Sequence, residues 1–159
     1  MTLIMWRGPG QVSDQQQHIQ TPGELDATLD RLHSQATADR YPQYILIYPG
    51  DCYPEDGHGE ADRWVPADPG DGPRPELVLT IGAVDSPVYW YERDGREHAS
   101  QGTAHDEEPE FEYFCGGQQS YAPAWSLIPH EQAREAARQF VATGGQRPDN
   151  ITWHDDGTR

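Results

Sequence analysis

The 159-residue sequence predicts an α+β fold, in which two helices pack on a mostly antiparallel β-sheet within a single domain covering residues 1–159. Three observations lead to this class. Short apolar runs typical of strands outnumber helical patterns, only two segments carry helix-start and helix-end signals, and the central runs are joined by turn sequences rather than by helices. The length suits one hydrophobic core, since domains usually contain ~50–200 residues.

The N-terminal part of the chain predicts a strand followed by a helix. TLIMW at positions 2–6 is an apolar run that suits a first or edge strand. The segment Thr21-Pro22-Gly23-Glu24 has the spacing of a capping box, with a proline where the first helical turn tolerates it. An apolar stripe follows at helical spacing: Leu25, Leu29 and Leu32. We therefore expect an amphipathic helix that ends near Thr37.

The middle of the chain predicts strands. YILIY at 44–48 is bounded by prolines, and its length and composition favour a buried strand. Residues 77–84 form a similar run, and the turn sequence that follows them leads into 88–91, so these two segments predict an antiparallel pair. A further strand is predicted at 111–115. Alternation places its side chains in two sets: Phe111, Tyr113 and Cys115 on one side, and Glu110, Glu112 and Phe114 on the other.

The C-terminal part predicts a second helix and a closing strand. This helix begins near Pro129, with Glu131 in its first turn, where a negative charge interacts favourably with the helix dipole. A face of small residues and one aromatic ring permits close packing on a sheet: Ala133, Ala136, Ala137 and Phe140. Gly144-Gly145 ends the helix because glycine adopts the left-handed conformation without strain. Residues 151–153 alternate as a last strand.

A long connection interrupts this order at about 49–76. Its 28 residues hold six prolines, five glycines and eight carboxylates, with no sustained helical or strand period. Connections longer than ~12–15 residues are uncommon inside compact domains and are usually functional or disordered. A second acidic stretch at 92–112 also holds eight carboxylates, and its densest part is residues 106–110.

Charge composition narrows the classes of partner. Twenty-seven carboxylates face eleven arginines and no lysine, which gives a net charge of −16. This charge disfavours direct binding of nucleic acid or anionic membranes and favours encounter with a basic protein. No apolar run is long enough to span a bilayer, and the N-terminus lacks the pattern of a signal peptide. We therefore expect a cytoplasmic protein with its two cysteines, Cys52 and Cys115, reduced.

Catalytic and cofactor motifs are absent from the sequence in their recognised forms. It contains no phosphate-binding loop, HExxH, GxSxG, CxxC or dinucleotide fingerprint, so we expect neither an enzyme nor a cofactor. One cluster of donors leaves a metal-dependent enzyme as an alternative: Asp51, Glu55, Asp56, His58, Glu60 and Asp62. Its spacing does not match a calcium-binding loop. Cys115 is expected to be a small core residue.

The tryptophans divide between core and surface. Trp90 and Trp153 lie in predicted strands and are expected in the core, and Trp125, just before the second helix, is expected to be structural. Tyr53 and Trp64 belong to the acidic connection. Exposed aromatic residues of this kind often supply binding energy at interfaces.

Several of these segments resemble the Imm1 family of bacterial immunity proteins. The similarity is carried by EYF at 112–114, SLIP at 126–129, the helix through Phe140, Thr143-Gly144, and ITW at 151–153, and more loosely by residues 21–32 and 77–91. The connection at 49–76 has no counterpart that can be aligned. The resemblance implies an inhibitor without catalytic residues that binds a cognate toxin, frequently a cytidine-deaminase-like toxin acting on DNA.

Physical reasoning agrees with that implication, because toxins that act on nucleic acid need basic grooves that an acidic protein can occupy. We therefore predict that carboxylates in the two acidic stretches bind such a toxin, with two aromatic residues as anchors. The predicted contact residues are Asp51, Tyr53, Glu55, Asp56, Glu60, Asp62, Trp64, Asp106, Glu107, Glu108, Glu110 and Glu112. The alternatives are the metal-dependent enzyme and an acidic adaptor for a different protein.

Overall fold

The computed structural model describes residues 1–5, 15–39, 42–50, 75–104, 110–115 and 118–155. Within these ranges lie ten strands and two α-helices: β1 (Thr2–Met5), β2 (Gln15–His18), α1 (Pro22–Asp39), β3 (Gln43–Tyr48), β4 (Glu76–Ile81), β5 (Asp85–Tyr91), β6 (Glu97–Ser100), β7 (Phe111–Cys115), β8 (Gln118–Ala122), β9 (Leu127–Pro129), α2 (His130–Thr143) and β10 (Trp153–Asp155). A single 3₁₀ turn at Ala124–Ser126 precedes β9. The predicted α+β class is confirmed.

The strands form a curled sheet in which antiparallel pairing dominates. Its main path runs in the order β10-β6-β5-β4-β3-β1-β2, and every neighbouring pair along this path is antiparallel. β3 makes an additional parallel contact with β7, where Gln43 lies opposite Phe114. β8 pairs with β7, and β9 pairs with the beginning of β5. The antiparallel pair predicted from residues 77–91 is β4 and β5.

Both helices form by the local signals expected from the sequence. At the start of α1 the backbone N–H of Glu24 donates to Thr21 Oγ1 at 3.2 Å, and the N–H of Thr21 donates to Glu24 Oε2 at 3.3 Å, which is the reciprocal pattern of a capping box. α2 ends at Gly144, whose φ of 74° is the left-handed conformation.

The two helices cover the same face of the sheet and enclose the main core. The leucine stripe of α1 and three alanines of α2 are at most 1% exposed, and they pack with isoleucines of β3 and leucines of β4. The alanines are Ala133, Ala136 and Ala137, and the strand residues are Ile45, Ile47, Leu77 and Leu79. Phe140 is the largest fully buried side chain of this core. Above the core, Arg134 and Arg138 of α2 bind the Asp26 carboxylate of α1. These ion pairs connect α1 and α2 on the side of the helices that faces away from the sheet.

The C-terminal end of α2 lies against the two residues that flank the long connection. Gly145 has a φ of 106°, and a β-carbon placed on it would come within 2.9 Å of the Cγ atoms of both Pro49 and Pro75. Any larger residue would therefore push these prolines away. The segment 51–74 between them lies outside the described residues.

The structure corrects several predicted details. Residues 82–84 form the turn that was expected to begin at Val84, because Gly82, with a φ of 92°, ends β4 early. The last strand begins at Trp153 rather than Ile151. Trp90, Trp153 and Cys115 are half-buried rather than fully in the core. Four short strands were not predicted: β2, β6, β8 and β9.

Replacement of Phe140 by alanine should destabilise the fold strongly. The ring is completely buried, so its loss removes apolar contacts and leaves a cavity, at a cost of about 3–5 kcal/mol in the free energy of unfolding. Val84→Ala is the control, since Val84 is 86% exposed and its truncation should change that free energy by less than ~0.5 kcal/mol. Urea denaturation of both variants measures the difference. Equal stabilities would contradict the assigned core.

Candidate interaction surface

The face of the sheet that lies away from the helices is rich in tyrosine. Because side chains alternate along a strand, the isoleucines of β3 point to the helices and the residues between them point to the other side. Strand pairing places Glu76 and Val78 of β4 beside this second set of β3 residues, Tyr89 and Tyr91 of β5 beside β4, and Glu97 of β6 beside Tyr91. We call this side of the sheet the tyrosine face, and it consists of Tyr44, Leu46, Tyr48, Glu76, Val78, Tyr89, Tyr91 and Glu97. Leu46, Tyr48 and Val78 form a buried cluster at its centre, and the other members are half-buried.

β7 adds aromatic rings at one side of the tyrosine face. Tyr113 stacks on Tyr44 with 6.1 Å between ring centroids and an angle of 14° between the planes. Phe111 stacks on Tyr113 with a centroid distance of 6.4 Å, as expected for neighbouring residues on one side of a strand. These rings are half-buried. They extend the apolar cluster formed by Leu46, Tyr48 and Val78.

Two carboxylates flank one tyrosine across three strands. Glu76 of β4 lies opposite Tyr91 of β5, and Tyr91 in turn lies opposite Glu97 of β6. The Glu97 carboxylate interacts with the Tyr91 hydroxyl closely enough to raise the pKa of this tyrosine. Glu76 is half-buried and makes no hydrogen bond or ion pair that is recorded among the described residues.

Burial shifts the proton equilibria of these groups. It raises the pKa of Glu76 above its ordinary value, because removal from water disfavours the ionised carboxylate. Burial also raises the pKa of Tyr44, and negative charge on Cys115 and Glu76 adds to the effect. The pKa of Tyr91 is raised by burial and by its interaction with Glu97. The phenols therefore remain neutral hydrogen-bond donors at physiological pH.

Arginines are absent from the strands that form this face. The sequences of β3 to β7 contain neither arginine nor lysine. Among the described residues, Arg134 and Arg138 pair with carboxylates on the helix side, Arg96 pairs with Asp94 in the β5–β6 turn, and Arg147 lies 5.6 Å from the Trp90 ring centre. The described strands that form this face therefore contribute carboxylates and no basic side chain.

The predicted contact residues fall mostly outside the described residues. This holds for Asp51, Tyr53, Glu55, Asp56, Glu60, Asp62, Trp64, Asp106, Glu107 and Glu108, and also for His58 and Cys52. Glu110 and Glu112 are described, and both are exposed. Glu112 lies opposite Tyr121 of β8, so it belongs to the outer side of the β7–β8 pair, away from Tyr113.

The structure fixes where the two acidic stretches leave the sheet. The first leaves where β3 ends and returns where β4 begins, beside Glu76. The second returns at Glu110, next to the start of β7, which meets β3 at its opposite end. A six-residue strand spans roughly 20 Å, and Glu110 lies four residues before Phe114, the parallel partner of Gln43, so the two attachment points are roughly 30 Å apart along the strand direction. The tyrosine face lies between them.

Sequence reasoning missed this face because its residues are hidden in apolar runs. YILIY was interpreted as one continuous buried strand, although tyrosine recurs at positions 44 and 48 with leucine between them. Residues 89 and 91 show the same period of two. Tyrosines separated by an even number of residues, two in β5 and four in β3, lie on one side of a strand and are the signal that separates the two faces.

Comparison with known proteins shows the family to which the chain belongs, which the fold alone does not. The model of the family described as Immunity protein Imm1 matches residues 13–155, which is nearly the whole chain. The chain belongs to the Imm1 family. The match extends across α1, all of β3 to β9, α2 and β10, so it includes the tyrosine face as well as the C-terminal segments that suggested the family. No curated protein matches the sequence.

The Imm1 relationship suggests a class of activity, immunity to a toxin. The described residues contain no group of three metal-ligating side chains, and no helix among them is both long and apolar enough to cross a membrane. The metal-ligand cluster predicted at Asp51 to Asp62 lies outside these residues.

Replacement of Glu76 by glutamine should stabilise the protein at neutral pH. Since burial raises the pKa of Glu76 in the folded state, its contribution to stability is complete below the pKa of the unfolded chain and is lost as the pH rises through the folded value. Glutamine does not ionise, so E76Q should raise the free energy of unfolding at pH 8, and the gain should shrink toward pH 5. Denaturant titrations at steps of pH measure this gain.

The matched control is Glu112→Gln, which removes a carboxylate from an exposed strand position. Its free energy of unfolding should stay within ~0.5 kcal/mol of the parent protein throughout this pH range. A loss of stability in E76Q at pH 8 would show that the carboxylate is satisfied in the fold.

Proposed function

We propose that this protein is a cytoplasmic immunity protein that neutralises a cognate toxin by covering the toxin's basic, nucleic-acid-binding active-site groove. The observation that carries the proposal is membership of the Imm1 family over residues 13–155. A deaminase-like toxin acting on DNA is the target class that fits best. Such a toxin must attract a polyanionic substrate, and a protein with a net charge of −16 competes for the same basic groove.

The acidic stretches supply the long-range part of this recognition. The carboxylates at 51–62 and 106–112 concentrate negative charge, and complementary fields raise association rates by ~10–10³. Tyr53 and Trp64 supply short-range aromatic contacts, because these residue types dominate binding energy at protein interfaces. The protein acts by occupying a surface and performs no chemical step.

Co-expression with the toxin encoded beside this chain tests the function directly. Cells producing the toxin should recover growth only when the immunity protein is present, and the two proteins should purify as a stable complex. The same toxin with its catalytic residue substituted should still form the complex. Failure to restore growth and failure to bind would together reject the proposal and favour an acidic adaptor for another protein.

Neutralisation of the second acidic stretch should slow association. Replacement of Asp106, Glu107, Glu108 and Glu110 by their amides removes four charges from five residues, so the association rate should fall about tenfold and depend less on salt. Stopped-flow or surface-based kinetics at several salt concentrations measure the change. The control neutralises four exposed carboxylates elsewhere: Asp85, Asp94, Glu131 and Asp149. An equal effect in both variants would assign the steering to net charge rather than to this stretch.

A further inference from the structure

β8 is an edge strand whose outer side is open to solvent. It pairs with β7 through residues 118–122, and no other strand of the described residues joins it. Three of its five residues have exposed side chains: Gln118, Gln119 and Tyr121. Tyr121 is 52% exposed, which is unusual for a large aromatic side chain. The edge can therefore be reached by another molecule.

One hydrogen bond of β7 shows which backbone groups of β8 point away from the sheet. The N–H of Phe114 donates to the Pro42 carbonyl at 2.9 Å, so Phe114 directs its backbone groups toward β3 and away from β8. Phe114 lies opposite Gln119, and an antiparallel pair with this orientation is a non-hydrogen-bonded one. Gln119 therefore directs its own N–H and C=O outward. Alternation gives Tyr121 the same orientation, while the backbone groups of Ser120 between them face β7.

The outward backbone groups of β8 have no partner among the described residues. No hydrogen bond to the N–H or C=O of Gln119 or Tyr121 is recorded from a side chain or from the backbone of another element. Backbone N–H and C=O groups at a sheet edge form a template to which a further strand can bond. Four such groups, two donors and two acceptors, are thus available on this edge.

β8 also lacks the features by which proteins protect a sheet edge. Protected edges are very short, or they carry proline or charged side chains that hinder the approach of another strand. The sequence QQSYA is five residues long and contains neither. At another edge of the sheet, β10 has only three residues and ends with Asp155. An edge left unprotected at this length suits a protein that adds a partner's strand there.

The side chains beside this edge favour a basic partner. Glu112 lies opposite Tyr121, and both side chains are exposed. Residues 110–123 contain no arginine or lysine. Neighbouring strands lie ~4.8 Å apart, so a strand added to β8 would place its side chains next to Tyr121 and about 10 Å from the backbone of Glu112. Long basic side chains bridge that distance, and their cations bind both aromatic rings and carboxylates.

Charge argues against a second copy of this chain as the occupant. Joining two β8 edges would bring together two molecules that each carry a net charge of −16, and like charges oppose association. A basic toxin has the complementary charge. The acidic residues 106–110 lead directly into β7, so a toxin attracted by them arrives beside this edge.

We propose that the outer edge of β8 binds an extended segment of the cognate toxin as an additional β-strand, and that a basic side chain of this segment contacts Tyr121 and Glu112. The proposal rests on the toxin-binding function proposed above and specifies the surface and the mode of binding. Main-chain hydrogen bonds to Gln119 and Tyr121 supply affinity, and side chains at alternate positions supply specificity.

Two substitutions at one position separate backbone contacts from side-chain contacts. Gln119→Pro removes an outward N–H without removing a bond to β7, and an edge strand tolerates proline at such a position. Gln119→Ala removes the side chain and keeps the N–H. The Kd for an inactivated cognate toxin domain should rise at least about 30-fold in Q119P, because a buried carbonyl of the toxin loses its donor. In Q119A it should change less than about twofold.

The outcomes of this comparison distinguish the edge from the function. Wild-type binding with equal Kd values for Q119P and Q119A would overturn the strand addition and leave the immunity function intact. Absence of binding by the wild-type protein, together with absence of growth rescue, would reject the function and the docking edge together. A wild-type dimer in sedimentation experiments that Q119P abolishes would assign the edge to a second copy and overturn the toxin as its occupant.

Amide hydrogen exchange of the wild-type protein tests the edge without any substitution. In the free protein, the N–H groups of Gln119 and Tyr121 should exchange rapidly and that of Ser120 slowly, since only the latter faces β7. In the complex with the inactivated toxin, exchange at Gln119 and Tyr121 should slow at least about tenfold. Unchanged exchange at both positions in a formed complex would overturn the proposal even if Q119P fails to fold.

The basic side chain is tested separately. The Kd should rise about tenfold in Tyr121→Ala and about threefold in Glu112→Gln, since the first removes an aromatic contact and the second an exposed ion pair. The control is Gln118→Ala, an exposed residue whose side chain lies on the other side of the strand, and its Kd should stay within about twofold. Kd values of Y121A and E112Q equal to that of Q118A would overturn the assigned basic contact.

Discussion

The alternation of side chains along β3 is the constraint on which the rest of the structure depends. β3 pairs with three strands, β1, β4 and β7, so its orientation sets theirs. Ile45 and Ile47 point to the helices and fix the main core, while Tyr44 and Tyr48 point to the opposite side. A shift of register by one residue would exchange these two sets, placing phenols against the helices and isoleucines on the other side of the sheet. One strand thus determines which side chains enter each of the two buried clusters.

Charged side chains also differ between the helix side of the sheet and the opposite side. On the helix side, arginines and aspartates neutralise one another across α1 and α2, and burial of their aliphatic portions adds to the packing. On the sheet side, carboxylates lie among neutral phenols whose raised pKa values prevent them from ionising. Arginine–aspartate pairs across α1 and α2 therefore neutralise charge on the helix side, whereas strands β3 to β6 contribute carboxylates and no arginine.

Sequence patterns predicted the elements whose signals are local and strong. The capping box at Thr21, the leucine stripe, the small-residue face of α2 and its glycine stop all act within a few residues, and all appear in the structure. Three of the four missed strands are short and rich in polar residues: QQQH of β2, EHAS of β6 and QQSYA of β8. Such sequences lack the apolar and β-branched residues that indicate a strand, and these segments become strands by pairing with β1, β5 and β7. β9 is only three residues long and pairs with β5, about 40 residues earlier in the chain. The tyrosine face was missed for a related reason: it exists only when residues from four strands are brought side by side.

The contact of Gly145 with Pro49 and Pro75 bears on which positions of the chain tolerate change. The two prolines mark the ends of the long acidic connection, and strand pairing together with the C-terminal end of α2 keeps those ends close. Insertion or deletion of residues between fixed ends changes loop-closure entropy by only ~0.6 kcal/mol for each doubling of length. A change of length or sequence between residues 49 and 75 therefore costs little free energy, whereas a β-carbon at position 145 would strain the backbone and displace both prolines.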